Sequence, residues 1–372
     1  TLSVVDLLVD DDLTVTDDAA IGGDLSVTGG VAVTGDYSSA TSGTSNLRLG
    51  VNAGNSITSG GNYNVVLGDE AGTALTTGDS NVAIGFEALA SEDTAGRNTA
   101  VGYRSLKTNN GGDNNTAVGE NSGTAVTTGH NNTLIGQDAG EALTDADYNV
   151  ALGSDALDAD TLGSRSTAIG WSALGTQNFT TATDSNNTAV GFEAGLSITT
   201  GRHNTIMGTN AGDGLSDSDF NVSVGSLSLT ADTLGSKSTA IGYATLQTQN
   251  FTTATDTFNT AVGAYAGVAV TTGTKNTLIG GLAGDALTTG GANVAVGYAA
   301  LSTEDGNGNN VAVGYLALTT QNTGADGHNT GVGHKAGRNI TTGTENTLIG
   351  ALAGDALTDV DYNTAIGKSA LS

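Results

Sequence analysis

Apolar and polar residues alternate in short runs along this chain, and a glycine closes each run. The run Asn259-Thr260-Ala261-Val262 before Gly263 is typical, and the pattern Asn-x-x-aliphatic-Gly, with Ser for Asn in two copies, recurs nineteen times. Successive motif glycines, such as Gly102 and Gly119, are separated by seventeen positions or slightly more, and each copy is numbered here from its glycine as position 0. Alternation at period two with Val, Ile and Thr predicts β-strands, and the regular glycines predict turns.

Other positions of the repeat are equally restricted. Position −1 is aliphatic or Met, position +3 is Ala, Ser or Thr, and position +4 is Gly or Leu. One copy is too small to bury an apolar face, whereas stacked copies share a continuous core. We therefore predict an all-β fold, a β-solenoid or β-roll of 17-residue coils over residues 47–372. Each coil should contain two or three short strands, with the aliphatic residue at −1 in the core and the Asn column forming an amide ladder.

The beginning of the chain follows a different period. Residues 7–33 carry apolar pairs every six residues, such as Leu25 and Val27, which is typical of β-helices formed by one chain or by three intertwined chains. The prediction is a hexad-repeat stem in residues 1–35, a polar junction in residues 36–46 and the nineteen-copy region in residues 47–372. Two identical insertions, Gln177–Asp184 and Gln249–Asp256, lie four copies apart and indicate that a four-copy block was duplicated.

Composition excludes several functional classes. The 372 residues include 57 Gly, no Cys, and 38 Asp and Glu against 11 Lys and Arg. Without Cys there is no disulfide framework and no Cys-based metal site. A net charge of −27 argues against a nucleic-acid partner, and no apolar run is long enough to insert into a membrane as a helix. The HExxH, GxSxG and P-loop motifs are absent, so we predict no catalytic or cofactor-binding residues and expect that the chain is not an enzyme.

Repeated acidic turns are the candidate metal ligands. The sequence Asp-x-Asp followed by Tyr or Phe and then Asn occurs three times. Carboxylate oxygens are ligands that Ca²⁺ prefers, so Ca²⁺ is the one metal that these turns suggest; the alternative is a solvent-exposed acidic turn. The candidates are Asp145, Asp147, Asp217, Asp219, Asp359 and Asp361.

An aromatic residue directly follows the motif glycine in seven copies. A row of exposed rings can stack on the sugars of a cell surface; the alternative is that the rings pack on those of adjacent coils. These candidates are Phe86, Tyr103, Trp171, Phe192, Tyr243, Tyr298 and Tyr315.

Two stretches resemble known fibre proteins. The stem sequence DLTVTDDAAIGGDLSVTGGVAVTG resembles tail-fibre shafts of tailed phages, notably cyanophages, and the NTAVGxxAG runs are similar to repeats of phage tail fibres or tail spikes and of bacterial surface proteins. The core Thr-Ala-Val-Gly-x-x-Ala is also similar to the head repeat of trimeric autotransporter adhesins, whose repeat is shorter.

The resemblance implies a homotrimeric parallel β-helical fibre without enzymatic activity. It places the protein outside the cell, in the tail fibre of a virion, as an elongated shaft with a role in host attachment. Its partners would be its own copies, other tail or fibre proteins and a host cell-surface glycan. The alternative is the stalk or head of a bacterial trimeric adhesin. A polysaccharide depolymerase is disfavoured because it needs an unrepeated pair of carboxylates.

Overall fold

The computed structural model of the protein describes residues 42–372, which form an all-β parallel solenoid of nineteen coils. No helix occurs among these residues. The predicted stem in residues 1–35 lies outside the described residues, as do residues 36–41 of the predicted junction.

Each coil contributes one three-residue strand to a single parallel sheet, and neighbouring coils pair in chain order. The strands of this sheet are β1 (Leu47–Leu49), β2 (Val65–Leu67), β3 (Val82–Ile84), β4 (Thr99–Val101), β5 (Thr116–Val118), β6 (Thr133–Ile135), β7 (Val150–Leu152), β9 (Thr167–Ile169), β11 (Thr188–Val190), β12 (Thr205–Met207), β13 (Val222–Val224), β15 (Thr239–Ile241), β17 (Thr260–Val262), β18 (Thr277–Ile279), β19 (Val294–Val296), β20 (Val311–Val313), β21 (Thr330–Val332), β22 (Thr347–Ile349) and β23 (Thr364–Ile366). Each insertion adds a two-residue strand that pairs with another, and these short strands are β8 (Gly163–Ser164) with β10 (Thr183–Asp184), and β14 (Gly235–Ser236) with β16 (Thr255–Asp256).

The register of the sheet follows the repeat. Thr116 lies opposite Thr133, and Val118 lies opposite Ile135. The β-branched residues at the first and third strand positions favour extended backbone. A strand spacing of about 4.8 Å gives the stack of coils a length of roughly 86 Å.

The backbone turns sharply after every strand. In one coil φ is 140° at Gly119, 52° at Asn121 and 60° at Gly123, and the N–H of Val126 then donates to the carbonyl of Gly123 at 3.1 Å. The prediction of two or three short strands in each coil is therefore wrong for most coils, which contain one strand. Residues 268–272, for example, form turns and bends, and the N–H of Val270 donates to the carbonyl of Gly267 at 3.0 Å.

From β2 onwards the core is lined by the middle residue of each strand and not by the last one, whereas the middle residue of β1 is the partly buried Arg48. Ala117 and Leu134 are fully buried, whereas Val118 and Ile135 at position −1 lie on the opposite face of the sheet and are only partly buried. The prediction that the aliphatic residue at −1 points into the core is therefore wrong. The small residue at position +3 is buried in the same core as the middle residues, so the interior is narrow and the larger β-branched side chains face outward.

Two kinds of coil alternate two by two and fill this interior differently. Glycine coils have Gly at +4 and an apolar Leu, Ile or Val at +7; in one of them a Cβ on Gly140 would lie 2.8 Å from the side chains of both Leu134 and Leu143. Leucine coils have Leu at +4, such as the buried Leu157, and the eight of them that reach position +7 have a polar residue there. The glycine coils are those of Gly50, Gly68, Gly119, Gly136, Gly191, Gly208, Gly263, Gly280, Gly333 and Gly350, and the leucine coils are those of Gly85, Gly102, Gly153, Gly170, Gly225, Gly242, Gly297, Gly314 and Gly367.

The Asn column forms the predicted amide ladder, mainly through the backbone. Oδ1 of Asn98 accepts a hydrogen bond from the N–H of Asn115 at 2.9 Å, and Nδ2 of Asn115 donates to the carbonyl of Gly129 at 2.7 Å. Nδ2 of Asn132 also donates to Oδ1 of Asn115 at 3.1 Å. Each Asn side chain therefore joins two coils and closes the end of its own coil.

Candidate functional site

The outer face of the long sheet carries no charge along its whole length. We call the side chains of the first and third residues of its nineteen strands the outer apolar face. The first residues are Thr, Val or Leu and the third residues are Val, Ile, Leu or Met, in a chain whose net charge is −27. Met207 and Ile279 are 47% and 40% exposed. The third residues form a contiguous apolar strip beside a column in which Thr is the commonest residue, and such a strip is typical of an interaction surface.

The candidate aromatic residues stack on rings of adjacent coils. Ring centroids are 5.5 Å apart for Phe86 and Tyr103, and 5.0 Å apart for Trp171 and Phe192, with nearly parallel planes. All four side chains are also exposed to solvent. A sugar stacks on the face of a ring, and the inner faces here cover each other. Each pair therefore offers a glycan its edges and at most two outer faces.

Two residues outside the candidate set complete these stacks. Tyr265 packs edge-on against Tyr243 at 5.2 Å, and His334 stacks at 5.5 Å on Tyr315, which itself stacks on Tyr298 at 5.8 Å. Tyr265 was missed in the sequence because it stands at position +2, one residue from the aromatic column. His334 does stand in that column, but a search for Phe, Tyr and Trp overlooks an imidazole ring.

The acidic turns are tied to the preceding coil. Oδ1 of Asp147, Asp219 and Asp361 accepts a hydrogen bond of 2.7 Å from the backbone N–H seventeen residues earlier. Asp145 and Asp217 accept hydrogen bonds from threonine hydroxyls of the preceding coil at 2.7 and 2.8 Å. The second Asp of each pair thus continues the bonding between coils.

The three Asp-x-Asp pairs remain separate in the structure. Asp145 and Asp217 are four coils apart, which is roughly 19 Å. Asp359 accepts a hydrogen bond from the hydroxyl of Thr358 at 3.1 Å. Over residues 42–372 no three His, Asp or Glu side chains come together in a way that could hold a metal ion. Each pair offers Ca²⁺ only the oxygen lone pairs that these hydrogen bonds leave free.

The first insertion forms one wall of an open groove of about 810 Å³. The groove is lined by turn residues of successive coils, among them Asp147, Asp184, Arg202 and His203. Arg165 pairs with Asp184 at 3.0 Å, and both side chains are about half exposed. Carboxylates outnumber guanidinium groups in this lining, so a neutral polar ligand suits the groove better than an anion.

The structure contains four fully buried carboxylates that the sequence patterns did not identify. Glu92, Asp160, Asp232 and Glu304 stand at position +7 in the first coil of each pair of leucine coils. No ion pair in the described part of the chain involves them. Instead, each accepts a hydrogen bond from the amide at +7 of the next coil; the donors are Asn109, Gln177, Gln249 and Gln321, at 2.7, 2.5, 2.5 and 3.0 Å. The co-occurrence of Leu at +4 with an acid or amide at +7 is the sequence signal that could have found these pairs.

The acid–amide pair also anchors each insertion. Oδ1 of Asp160 accepts hydrogen bonds from the N–H groups of Gly163 and Phe179, both at 3.0 Å. Gln177 donates to the hydroxyl of Ser166 at 2.9 Å, which gives a role to the serine that replaces Asn in this copy. The second insertion repeats the same hydrogen bonds four coils later.

Burial of Asp160 and Asp232 makes the stability of the stack depend on pH. Burial raises the pKa of Asp160 and of Asp232, and hydrogen bonds from the amides and backbone N–H groups oppose that rise. The unfolded-state pKa of Asp is about 3.9. Between the unfolded and folded pKa values the folded chain binds more protons, so the free energy of unfolding falls as pH rises through this interval.

The free energy of unfolding should therefore fall less for the variant Asp160→Asn/Asp232→Asn than for the wild type between about pH 4 and pH 7, because asparagine does not titrate. Each unit by which a pKa is raised on folding corresponds to about 1.4 kcal/mol of this difference. Urea unfolding at both pH values measures this difference. Asp145→Asn/Asp217→Asn removes two exposed carboxylates at the same four-coil spacing and should keep the wild-type pH dependence. If the free energy of unfolding changed equally with pH in the wild type and in the Asp160→Asn/Asp232→Asn variant, Asp160 and Asp232 would not titrate in this range.

The surface features described above belong to a fold in which no helix of residues 42–372 is long and apolar enough to cross a membrane. Comparison with protein-family models, curated proteins and solved structures finds no match to this chain.

Proposed function

We propose that the protein is a non-enzymatic structural component of a phage tail fibre, in which three copies associate through their outer apolar faces. The observation that carries this proposal is the uncharged face that runs along all nineteen strands of a chain with net charge −27. Copies with that charge repel one another on every other side, because the charged residues of 42–372 all lie outside this face. The outer apolar face is the surface on which they can meet without burying a carboxylate.

The size and period of the face both favour a copy of the same chain as the partner. Nineteen strands at about 4.8 Å, each about 10 Å long, present roughly 900 Å², which is similar to the ~800 Å² that each partner buries in a stable interface; in a trimer each copy shares this area between its two neighbours. A partner must match ridges repeated every ~4.8 Å over the whole length, and another parallel sheet of the same repeat does so. The exposed aromatic stacks are the proposed contacts with a host cell-surface glycan.

Light scattering of the native protein tests the assembly. One chain has a mass of 36.5 kDa, so the wild type should scatter with three times this mass. The variant Val118→Glu/Val190→Glu/Val262→Glu places one carboxylate at equivalent outer positions of three glycine coils. We expect this variant to sediment and scatter as a 36.5 kDa monomer, because three buried, unpaired carboxylates per copy cost more than the interface provides.

The matched control is Ala125→Glu/Ser197→Glu/Ala269→Glu. These residues have the same four-coil spacing and the same partial burial as the three valines, but they lie in the turns. This control should keep the mass of three copies. A monomeric wild type, or an equal loss of mass in both variants, would contradict assembly through the outer apolar face.

A further inference from the structure

Because the coils are nearly identical, more than one coil could stack on a given neighbour. If one coil were left out, the coils on either side of it could still pair their strands, continue the Asn ladder and match their motif glycines. A register slip of a whole coil therefore leaves most interactions of the repeat intact. Some feature of the core has to distinguish the correct neighbour from the wrong one.

The acid–amide pairs distinguish neighbouring coils. Glu92 belongs to the first leucine coil and Asn109 to the second, with the amide 2.7 Å from the carboxylate. If the coil of Asn109 were left out, Glu92 would meet Val126, the residue at +7 of the next glycine coil. The buried carboxylate would then face an alkyl group and lose its amide donor.

We propose that the four acid–amide pairs are register locks, which give the stack one order of coils. The inference is independent of whether copies associate. Each lock has a direction, because the acid always precedes the amide along the chain. A single buried polar pair fixes register in this way in coiled coils, where apolar contacts alone leave several alignments close in energy.

Disulfide trapping detects a left-out coil, and the absence of Cys from the chain means that only introduced thiols can react. Ser91 and Ala125 occupy position +6 on either side of the coil that carries Asn109. In the native stack they are two spacings apart, roughly 9.6 Å, beyond the ~7 Å limit for a disulfide. If that coil is left out they become neighbours. The pair Ser91→Cys/Thr108→Cys, in adjacent coils, is the positive control.

The lock is removed by turning its two leucine coils into glycine coils with Leu89→Gly/Glu92→Leu/Leu106→Gly/Asn109→Leu. Gly at +4 together with Leu at +7 is native to five other coils, so each substituted coil takes a pattern that the fold already contains, in a run of six consecutive glycine coils. A mixture of ¹⁵N-labelled and unlabelled chains is refolded from urea in a glutathione redox buffer. Trypsin cuts at Arg97, Arg104 and Lys107, and mass spectrometry separates links within one chain from links between chains.

With the native lock we expect the Ser91→Cys/Ala125→Cys protein to form only traces of the disulfide that joins positions 91 and 125 within one chain. Without the lock we expect at least about tenfold more of it. Asp93→Asn, which removes an exposed carboxylate beside the lock, should leave the trace level unchanged. Glu92→Leu/Asn109→Leu is carried in parallel, so that a failure of one variant to refold leaves the comparison standing. Equal linking with and without the lock, in whichever variant refolds, overturns the proposal.

Discussion

Replacing Gly119 with alanine should destabilise the stack by about 2–6 kcal/mol, the sum of backbone strain and overpacking. Gly119 has a φ of 140°, which residues with a side chain rarely adopt. A Cβ at this position would lie 2.3 Å from the carbonyl oxygen of Gly136 in the next coil. The clash involves backbone on both sides, so no side-chain rotation relieves it. Urea unfolding measures the loss.

The damage should be local, because each coil contacts only its neighbours. Hydrogen exchange should therefore accelerate most in the coils of Gly102, Gly119 and Gly136. Gly281→Ala is the matched control, since a Cβ there would meet nothing closer than 3.6 Å and the site is in a turn. A Gly119→Ala variant as stable as Gly281→Ala would mean that neighbouring coils can move apart, contrary to the close glycine contacts of the structure.

Replacing Asp160 with alanine should cost about 3–5 kcal/mol. The carboxylate satisfies three buried donors, which are the amide of Gln177 and the N–H groups of Gly163 and Phe179. After the substitution the two N–H groups stay buried without this acceptor, and the amide of Gln177 keeps only its hydrogen bond to Ser166. Because Phe179 belongs to the first insertion, hydrogen exchange should also accelerate throughout residues 177–184.

The control for this prediction is Asp184→Ala in the same insertion. Asp184 forms an exposed ion pair with Arg165, and such pairs contribute about 0–1 kcal/mol. In the double variant Asp160→Ala/Gln177→Ala the loss should be smaller than the sum of the two single losses, since the two side chains share one hydrogen bond. Additive losses would show that the acid and the amide act independently.

The repeat made much of the fold predictable, but it did not predict which side chains point into the core. The spacing of Asn and Gly correctly predicted parallel coils, and the Asn column correctly predicted a ladder. Hydrophobicity then placed Val118 inside and left Ala117 unassigned, although the structure has them reversed. Both residues are apolar, so the decision depends on the width of the interior, which Leu or Gly at +4 and the residue at +7 of the same coil determine.

The sequence predicted which residue types form the candidate sites but not which residues they contact. The Asp-x-Asp turns and aromatic columns are visible in the sequence as residue types. Their partners are seventeen or more residues away, so only the stacking shows that Asp147 bonds the N–H of His130 or that Phe86 lies against Tyr103. The buried acids escaped detection for another reason, because a carboxylate in a polar-looking repeat is expected to be exposed.

The two-by-two alternation of coils also restricts how this molecule can change in length. Adding or deleting a single coil would break the two-by-two alternation, and the loss of one leucine coil would also leave an acid without its amide or an amide without its acid. A block of four coils leaves every neighbour relation unchanged. The length of the stack is therefore expected to vary in steps of four coils, each step adding roughly 19 Å. Variants that differ by whole four-coil blocks would keep the same kinds of coil at both ends and the same pattern of side chains along the lateral surface.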